Sequence, residues 1–330
     1  MSTHLIDGLG RRISDLRISV TDRCNFRCFY CKSADPMNYS GHDAMSLEEI
    51  ARLARIFASL GIEKIRLTGG EPLLRSGIEK LVAEIAAIPG VRDVALTTNG
   101  WLLPEKAQAL ADAGLDRVNI SMDAVDRAKF TEITRTPDAY DKVIAGIAAA
   151  RRAGLEPIKV NAVLVRGMND DQVEDFATFA REHQVIVRFI EFMPLDADRH
   201  WTRDLVVTAE ETRRRIHAVY PLEDFTRDTP SETARKYRFA DGHGEIGLVA
   251  PVSLPFCGAC SRIRMTSDAK IRTCLFSTRD HDLRPLFDRG ASDAEIAQFI
   301  RDLTLHKEPR HHINDPDFVP ANRSMVFIGG

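Results

Sequence analysis

LRISVTDRCNFRCFYC, Leu16 to Cys31, runs an alternating apolar stretch straight into three cysteines, Cys24, Cys28 and Cys31. LRISVT reads as a β-strand, so the cysteines fall on the loop at its carboxyl end. Five later segments repeat the strand pattern: IRLTGG, VALTTNG, VNISMDA, KVNAVLV and VRFIEFMP. Helical patterns lie between them, among them SLEEIARLARIFASLG, with Ser46 as its cap, Glu49 three residues on and an end near Gly61. LPEKAQALADAG, DKVIAGIAAARRAG and DQVEDFATFAREH are further examples. Alternation of strand and helix predicts an α/β fold with a parallel sheet. Six such units exceed a small open sheet and fall short of an eight-fold barrel. The expectation is therefore an incomplete (β/α)6 TIM-type barrel, with a doubly wound sheet as the alternative.

Polar residues and glycines recur where these strands end: Thr68-Gly69-Gly70-Glu71, Thr97-Thr98-Asn99, Ser121 with Asp123, and Glu191 followed by Met193. In parallel barrels that rim builds the active site. After Pro194 the rhythm changes, with a helix around TAEETRRRIHAVY, a charged loop near TRDTPSETARK and a strand candidate EIGLVA. The expected division is a partial barrel over 1–225 and a smaller C-terminal module over 226–330 that closes the open side. Residues 196–255 carry no legible functional signal.

The 330 residues hold 45 basic and 48 acidic side chains, a net charge of -3. That balance argues against a surface built for nucleic acid or an anionic membrane, so any anion site has to be local. No apolar run approaches a membrane span, and MSTHLIDGLGRR lacks a signal-peptide core, from which a cytoplasmic protein is expected.

All six cysteines fall into two groups of three, Cys24/Cys28/Cys31 and Cys257/Cys260/Cys274. A disulfide framework does not cluster this way, whereas thiolates in clusters are soft ligands for zinc, Cu(I) or iron–sulfur centres. A structural zinc site closes with four ligands. Three thiolates on a cubane 4Fe-4S cluster leave one iron open to an outside molecule. For the second group a zinc ribbon with a distant fourth ligand, His243 or His281, stays as the alternative.

The C-x3-C-x2-C spacing with Tyr30 before the last cysteine, followed by TGGEP at Thr68–Pro72, resembles the radical S-adenosylmethionine (SAM) superfamily. The resemblance implies that the open iron of the first cluster is chelated by SAM, which is then split to a 5′-deoxyadenosyl radical. FCGACSRIRMTSDAKIRTCLF, with its second set of three cysteines, closely resembles the C-terminal motif of the GTP 3′,8-cyclase family of molybdenum cofactor biosynthesis. That family likeness extends through TTNG, RVNISMDA, IKVNAV, RFIEFMP and the closing IGG, and is weakest between Asp196 and Pro255.

From it follow two 4Fe-4S clusters, SAM as cofactor and GTP as substrate. SAM contacts are implied for Tyr30, Gly70, Glu71, Ser121 and Met193. GTP contacts are implied for Arg17, Arg66, Thr97, Lys159, Arg262, Ile263 and Arg264. GTP carries roughly four negative charges, which suits guanidinium groups placed inward on core strands. Arg17, Gly329 and Gly330 are implied in catalysis, the double glycine threading into the site. An electron donor of flavodoxin or ferredoxin type, a downstream cyclic pyranopterin synthase and a homodimer are implied as partners. Two other readings remain: a peptide-modifying radical SAM enzyme with an auxiliary cluster, and a non-catalytic zinc-binding protein.

Overall fold

The computed structural model describes residues 4–32, 45–225 and 229–329. Six strands form the first part of one curved sheet: β1 (Asp15–Ser19), β2 (Lys64–Thr68), β3 (Asp93–Thr98), β4 (Arg117–Ser121), β5 (Lys159–Leu164) and β6 (Ile186–Glu191). Each pairs in parallel with the next, and each starts within one residue of the expected position. The alternation explains the wall they build. Leu16 and Ile18 of β1, like Ile65 and Leu67 of β2, are fully buried on the outer face beneath the helices. Arg17 and Arg66 point the other way, into the lumen.

Crossover helices cover the outer face: α1 (Leu47–Ser59), α2 (Ile78–Ala86), α3 (Leu103–Asp112), α4 (Arg127–Thr134), α5 (Ala139–Arg152) and α6 (Val173–Glu182). α1 carries the expected capping box: Ser46 accepts from the Glu49 amide, and Glu49 accepts from the Ser46 amide. Its buried face, Ile50, Leu53, Ile56 and Phe57, packs into the main core. Full burial of such side chains contributes about 1.5–3 kcal/mol each.

The C-terminal part does more than lean on the barrel. After α7 (Ala209–Val219) come β7 (Leu222–Phe225), β8 (Arg235–Phe239), β9 (Glu245–Val249), β10 (Arg262–Met265), β11 (Lys270–Arg272) and β12 (His281–Asp282). β9 pairs in parallel with β6, and β10 pairs in parallel with β1. The sheet therefore runs through eight neighbouring parallel strands, six from the barrel and one added at each edge. β11 and β12 extend one side antiparallel, and β8 and β7 the other. The expected boundary between residues 225 and 226 cuts across the β7–β8 pairing, so the sheet is continuous there.

Short helix α8 (Arg284–Asp288) leads to α9 (Asp293–Leu305), which opens on its own capping box, Ser292 with Glu295. Chain 306–324 then returns to α10 (Met325–Ile328). A second, smaller core of Leu195, Val206, Val252, Phe276, Ile313 and Ile328 seats this last stretch. Arg323 pins it further through paired bonds to Asp268 and an ion pair with Asp280.

Candidate active site

Both cysteine groups open onto one cavity of about 290 Å3 in the barrel lumen. Cys24, Cys28 and Cys31 stand on the loop after β1; Cys257 and Cys260 precede β10, and Cys274 follows β11. All six are free and half-buried. Burial pushes the Cys24 thiol up to about 11 and Cys31 to about 12, and raises Cys28 well above its ordinary range. Left alone these groups are neutral thiols; a cationic centre is what turns them into thiolates. Cys260 differs. Burial opposes ionisation, but Arg262 and Lys307 beside it bring it down to about 7.

Among the described residues, no three His, Cys, Asp or Glu side chains are grouped to hold a single metal ion. A cubane takes its thiolates at separate corners and needs no such convergence. Two sets of three soft donors facing one lumen fit such clusters by donor chemistry.

Tyr30, Gly70, Ser121 and Met193 line the same cavity. Tyr30 donates its hydroxyl to Asp123 Oδ2 at 2.6 Å, and Asp123 also accepts from the Val163 amide. Burial lifts that carboxyl to about 6 against those two bonds. The Tyr30 ring is thereby fixed, with its hydroxyl already used. Gly70 is required by the cysteine loop itself: a Cβ there would lie 2.4 Å from the Arg23 carbonyl oxygen.

Glu71, implied as a SAM contact, has its carboxylate engaged by its own chain. It is completely buried, and its oxygens accept from the Leu73 amide, the Thr98 hydroxyl and the Asn99 amide. The side chain ties the end of β3 to the turn after β2 and stays off the cavity wall.

The cations gather lower in the lumen. Strand register sets Arg264, Arg17 and Arg66 side by side across β10, β1 and β2. Arg188 on β6 joins them, a residue the sequence reading passed over although its alternate place on VRFIEFMP marks it as inward. Burial and mutual repulsion lower this group: Arg17 and Arg188 come down to about 10, and Arg66 and Arg264 fall well below their ordinary value. Thr97 lies beside Arg66, its hydroxyl accepting at 3.5 Å. Such packing of cations with no ion-pair partner among the described residues is costly without an anion to share.

Lys159 is not on the wall of the cysteine cavity. It lines a second one of about 300 Å3, which shares Arg17, Arg66, Arg188 and Arg262 with the first. Burial, then Arg188 and Arg117, bring Lys159 down to about 8. Ile263, implied as a GTP contact, has its side chain 1% exposed and packed in the main core, opposite Arg262 and Arg264.

The C-terminal tail reaches the same place. Gly329 is buried, at φ +79°, and its carbonyl accepts from Arg264. A Cβ on it would lie 2.3 Å from Thr68 Oγ1 at the end of β2. Met325 lines the cavity. Gly330 lies outside the described residues.

Arg11 was invisible to sequence reasoning, because its partners are remote in the chain. It pairs with Asp7 and donates to the carbonyls of Cys257, Glu308 and Pro309, clamping the second cysteine loop to the chain after α9. Lys307 and His311 on that chain also face the cavity. No spacing in the sequence announces them.

A parallel barrel with a C-x3-C-x2-C loop at its rim defines a radical SAM enzyme, and residues 18–180 match the Radical SAM superfamily. Residues 185–313 match the family described as Molybdenum Cofactor Synthesis C. Proteins named GTP 3′,8-cyclase from Mycolicibacterium smegmatis and Moorella thermoacetica are 46% and 43% identical to the chain. The first alignment covers 99% of the chain and 92% of the relative, the second 98% and 99%. The chain belongs to the GTP 3′,8-cyclase family.

Among solved structures, native anSMEcpe with bound AdoMet superposes with TM-score 0.59 at 15% identity, covering 94% of this chain and 93% of that one. Streptococcus suis SuiB bound to S-adenosylmethionine gives 0.57 at 14% identity, over 87% and 68%. These likenesses bear on the fold alone. Among the described residues no helix is long and apolar enough to cross a membrane.

Proposed function

We propose that this chain converts GTP to 3′,8-cyclo-7,8-dihydro-GTP, with SAM and two 4Fe-4S clusters as cofactors. The observation that carries the reading is a single lumen holding both cysteine triads above a floor of crowded cations that have no ion-pair partner among the described residues. A peptide substrate has no need of that floor; a triphosphate does.

Cys24, Cys28 and Cys31 hold the first cluster, and Cys257, Cys260 and Cys274 the second. When bound, the first cluster and SAM supply a hydrogen-abstracting carbon radical directed at C3′ of the ribose, after which C3′ joins C8 of guanine and one electron and one proton complete the product. Tyr30, Gly70, Ser121 and Met193 seat SAM. Arg17, Arg66, Arg188, Arg262 and, at the lower cavity, Lys159 take the phosphates, with Thr97 beside them. Held at that end, the nucleotide extends its ribose and base upward between the two triads, which is the orientation the bond formation requires.

Arg264 serves the tail as much as the substrate, since its guanidinium already bonds the Gly329 carbonyl. The tail closes the lumen against water, which a carbon radical needs. Arg17, set between Arg264 and Arg66 by the strand register, assists the late electron or proton delivery. The electron donor is of flavodoxin or ferredoxin type, the product passes to a cyclic pyranopterin synthase, and the enzyme works as a homodimer in the cytoplasm; family membership is the support for these.

Anaerobic turnover of the reconstituted protein with GTP deuterated at C3′ tests the reaction. Deuterium is expected in 5′-deoxyadenosine; SAM cleavage that is independent of GTP overturns it.

A further inference from the structure

Lys307 is 6% exposed, lines the cavity that both cysteine triads face, and has no ion-pair partner among the described residues. Its ammonium donates to the Thr273 carbonyl, which holds the charge one residue from Cys274. Arg262 stands at the same triad, donating to Cys260 Sγ at 3.4 Å. An ammonium withdrawn from water without a counter-charge is costly, so what fills the cavity beside it has to be anionic. Three thiolates carrying an iron–sulfur core meet that demand: the assembly is anionic when oxidised and gains a further negative charge on reduction.

The two triads differ in the charges set around them. Burial raises the thiols of the first, and Glu71 and Asp123 push further in the same direction, opposed by Lys32. At the second, burial also opposes ionisation, but Arg262 and Lys307 outweigh it at Cys260. At Cys274, Lys307 acts against burial and against Glu308, whose carboxylate the Thr273 hydroxyl holds at 2.6 Å. Negative neighbours favour the oxidised form of a cluster and positive ones the reduced form, and the effect grows where water is excluded. Arg262 is committed to the substrate phosphates in the proposed function. Lys307 does not line the lower, cation-rich cavity, so its charge stays with the second triad.

Resting on the assignment of the second cluster to Cys257, Cys260 and Cys274, we propose that Lys307 is a positioning residue that acts through that cluster: its buried charge stabilises the reduced form and raises the reduction potential. The step concerned is the one-electron reduction of the cluster by the external donor. Lys307 supplies charge to it, and neither a proton nor an electron.

Redox titration of reconstituted wild-type, Lys307→Gln and Lys307→Arg proteins, followed by electron paramagnetic resonance, is the test. The signal that added SAM leaves unchanged belongs to the second cluster. Gln keeps a donor for the Thr273 carbonyl and drops the charge; Arg keeps the charge. In Lys307→Gln the reduction equilibrium of the second cluster is expected to weaken about 10- to 100-fold, a fall of about 59 to 118 mV for one electron, with the first cluster unchanged and Arg restoring most of the difference. Lys307→Met gives the same reading should the Gln variant fail to load. An unchanged midpoint in the neutral variants, an equal fall for both clusters, or an Arg variant that falls as far as Gln overturns the proposal. Loss of the second cluster from the Gln, Met and Arg variants alike assigns Lys307 to holding the loop and overturns it too. Wild-type protein that shows a single cluster refutes the cluster assignment instead, which keeps the two failures apart.

Discussion

Replacing Gly329 by alanine puts the tail to a quantitative test. Gly329 sits at φ +79°, and the added methyl carbon would stand 2.3 Å from Thr68 Oγ1 and 3.1 Å from Ser19 Cβ. Neither neighbour has room to retreat: Thr68 and Ser19 are 1% and 0% exposed, and Thr68 bonds the Ile18 carbonyl. The left-handed backbone costs an alanine about 1 kcal/mol. Overpacking adds about 1–3 kcal/mol. Together, about 2–4 kcal/mol is set against the docked tail, which shifts its docking equilibrium roughly 30- to 700-fold.

The assay is hydrogen exchange at the amides of 325–329, read beside GTP-dependent 5′-deoxyadenosine formation in a single turnover. Gly329→Ala is expected to lose protection at those amides and to lose turnover, with protection elsewhere in the barrel unchanged. The second variant, Thr68→Ala/Gly329→Ala, removes the closest clashing atom and leaves the backbone cost and the 3.1 Å approach to Ser19 Cβ, so it recovers part of the protection. A Gly329→Ala protein as protected and as active as wild type refutes the threading of the tail. A double variant without recovery refutes the assignment of the clash to Thr68.

Lys159, brought down to about 8, is charged below that pH and neutral above it, while a bound triphosphate stabilises the charged form. GTP affinity is therefore expected to fall as pH rises through 8, by up to about tenfold per unit, with proton uptake on binding seen by calorimetry in buffers of different ionisation heat. Lys159→Met abolishes this pH dependence. Arg11→Met leaves Asp7 buried and unpaired, a loss of about 3–5 kcal/mol at the clamp on the second cysteine loop. Iron and sulfide per chain are expected to drop from about eight to about four in that variant, the first cluster surviving. Replacing Cys24, Cys28 and Cys31 together by serine is expected to end SAM cleavage and to preserve GTP binding; loss of GTP binding as well would sink the separation of the cation floor from the first cluster.

Alternation makes the barrel readable. A period of two places Leu16 and Ile18 on one face and Arg17 on the other whatever the rest of the chain does, and the same rule reaches Arg188 and sends Ile263 away from the arginines that flank it. Cysteine spacing is equally local, so both triads are legible in the order of residues alone. The edges of the sheet are not. That β9 and β10 extend the barrel on opposite sides depends on pairing between strands about 60 and about 250 residues apart in the chain, and no local period encodes such partnerships.

What the sequence determined by itself is the order of elements, the inward cations and two sets of soft ligands, because each follows from bonds and contacts between near neighbours. Tertiary structure alone decided which polar groups were already taken. Glu71, fit by type to meet a ligand, is enclosed by three donors of its own chain, while Lys307, unremarked in the sequence, is buried with no ion-pair partner among the described residues. Residue type states what a group is able to bind; only packing states whether the chain has already supplied it.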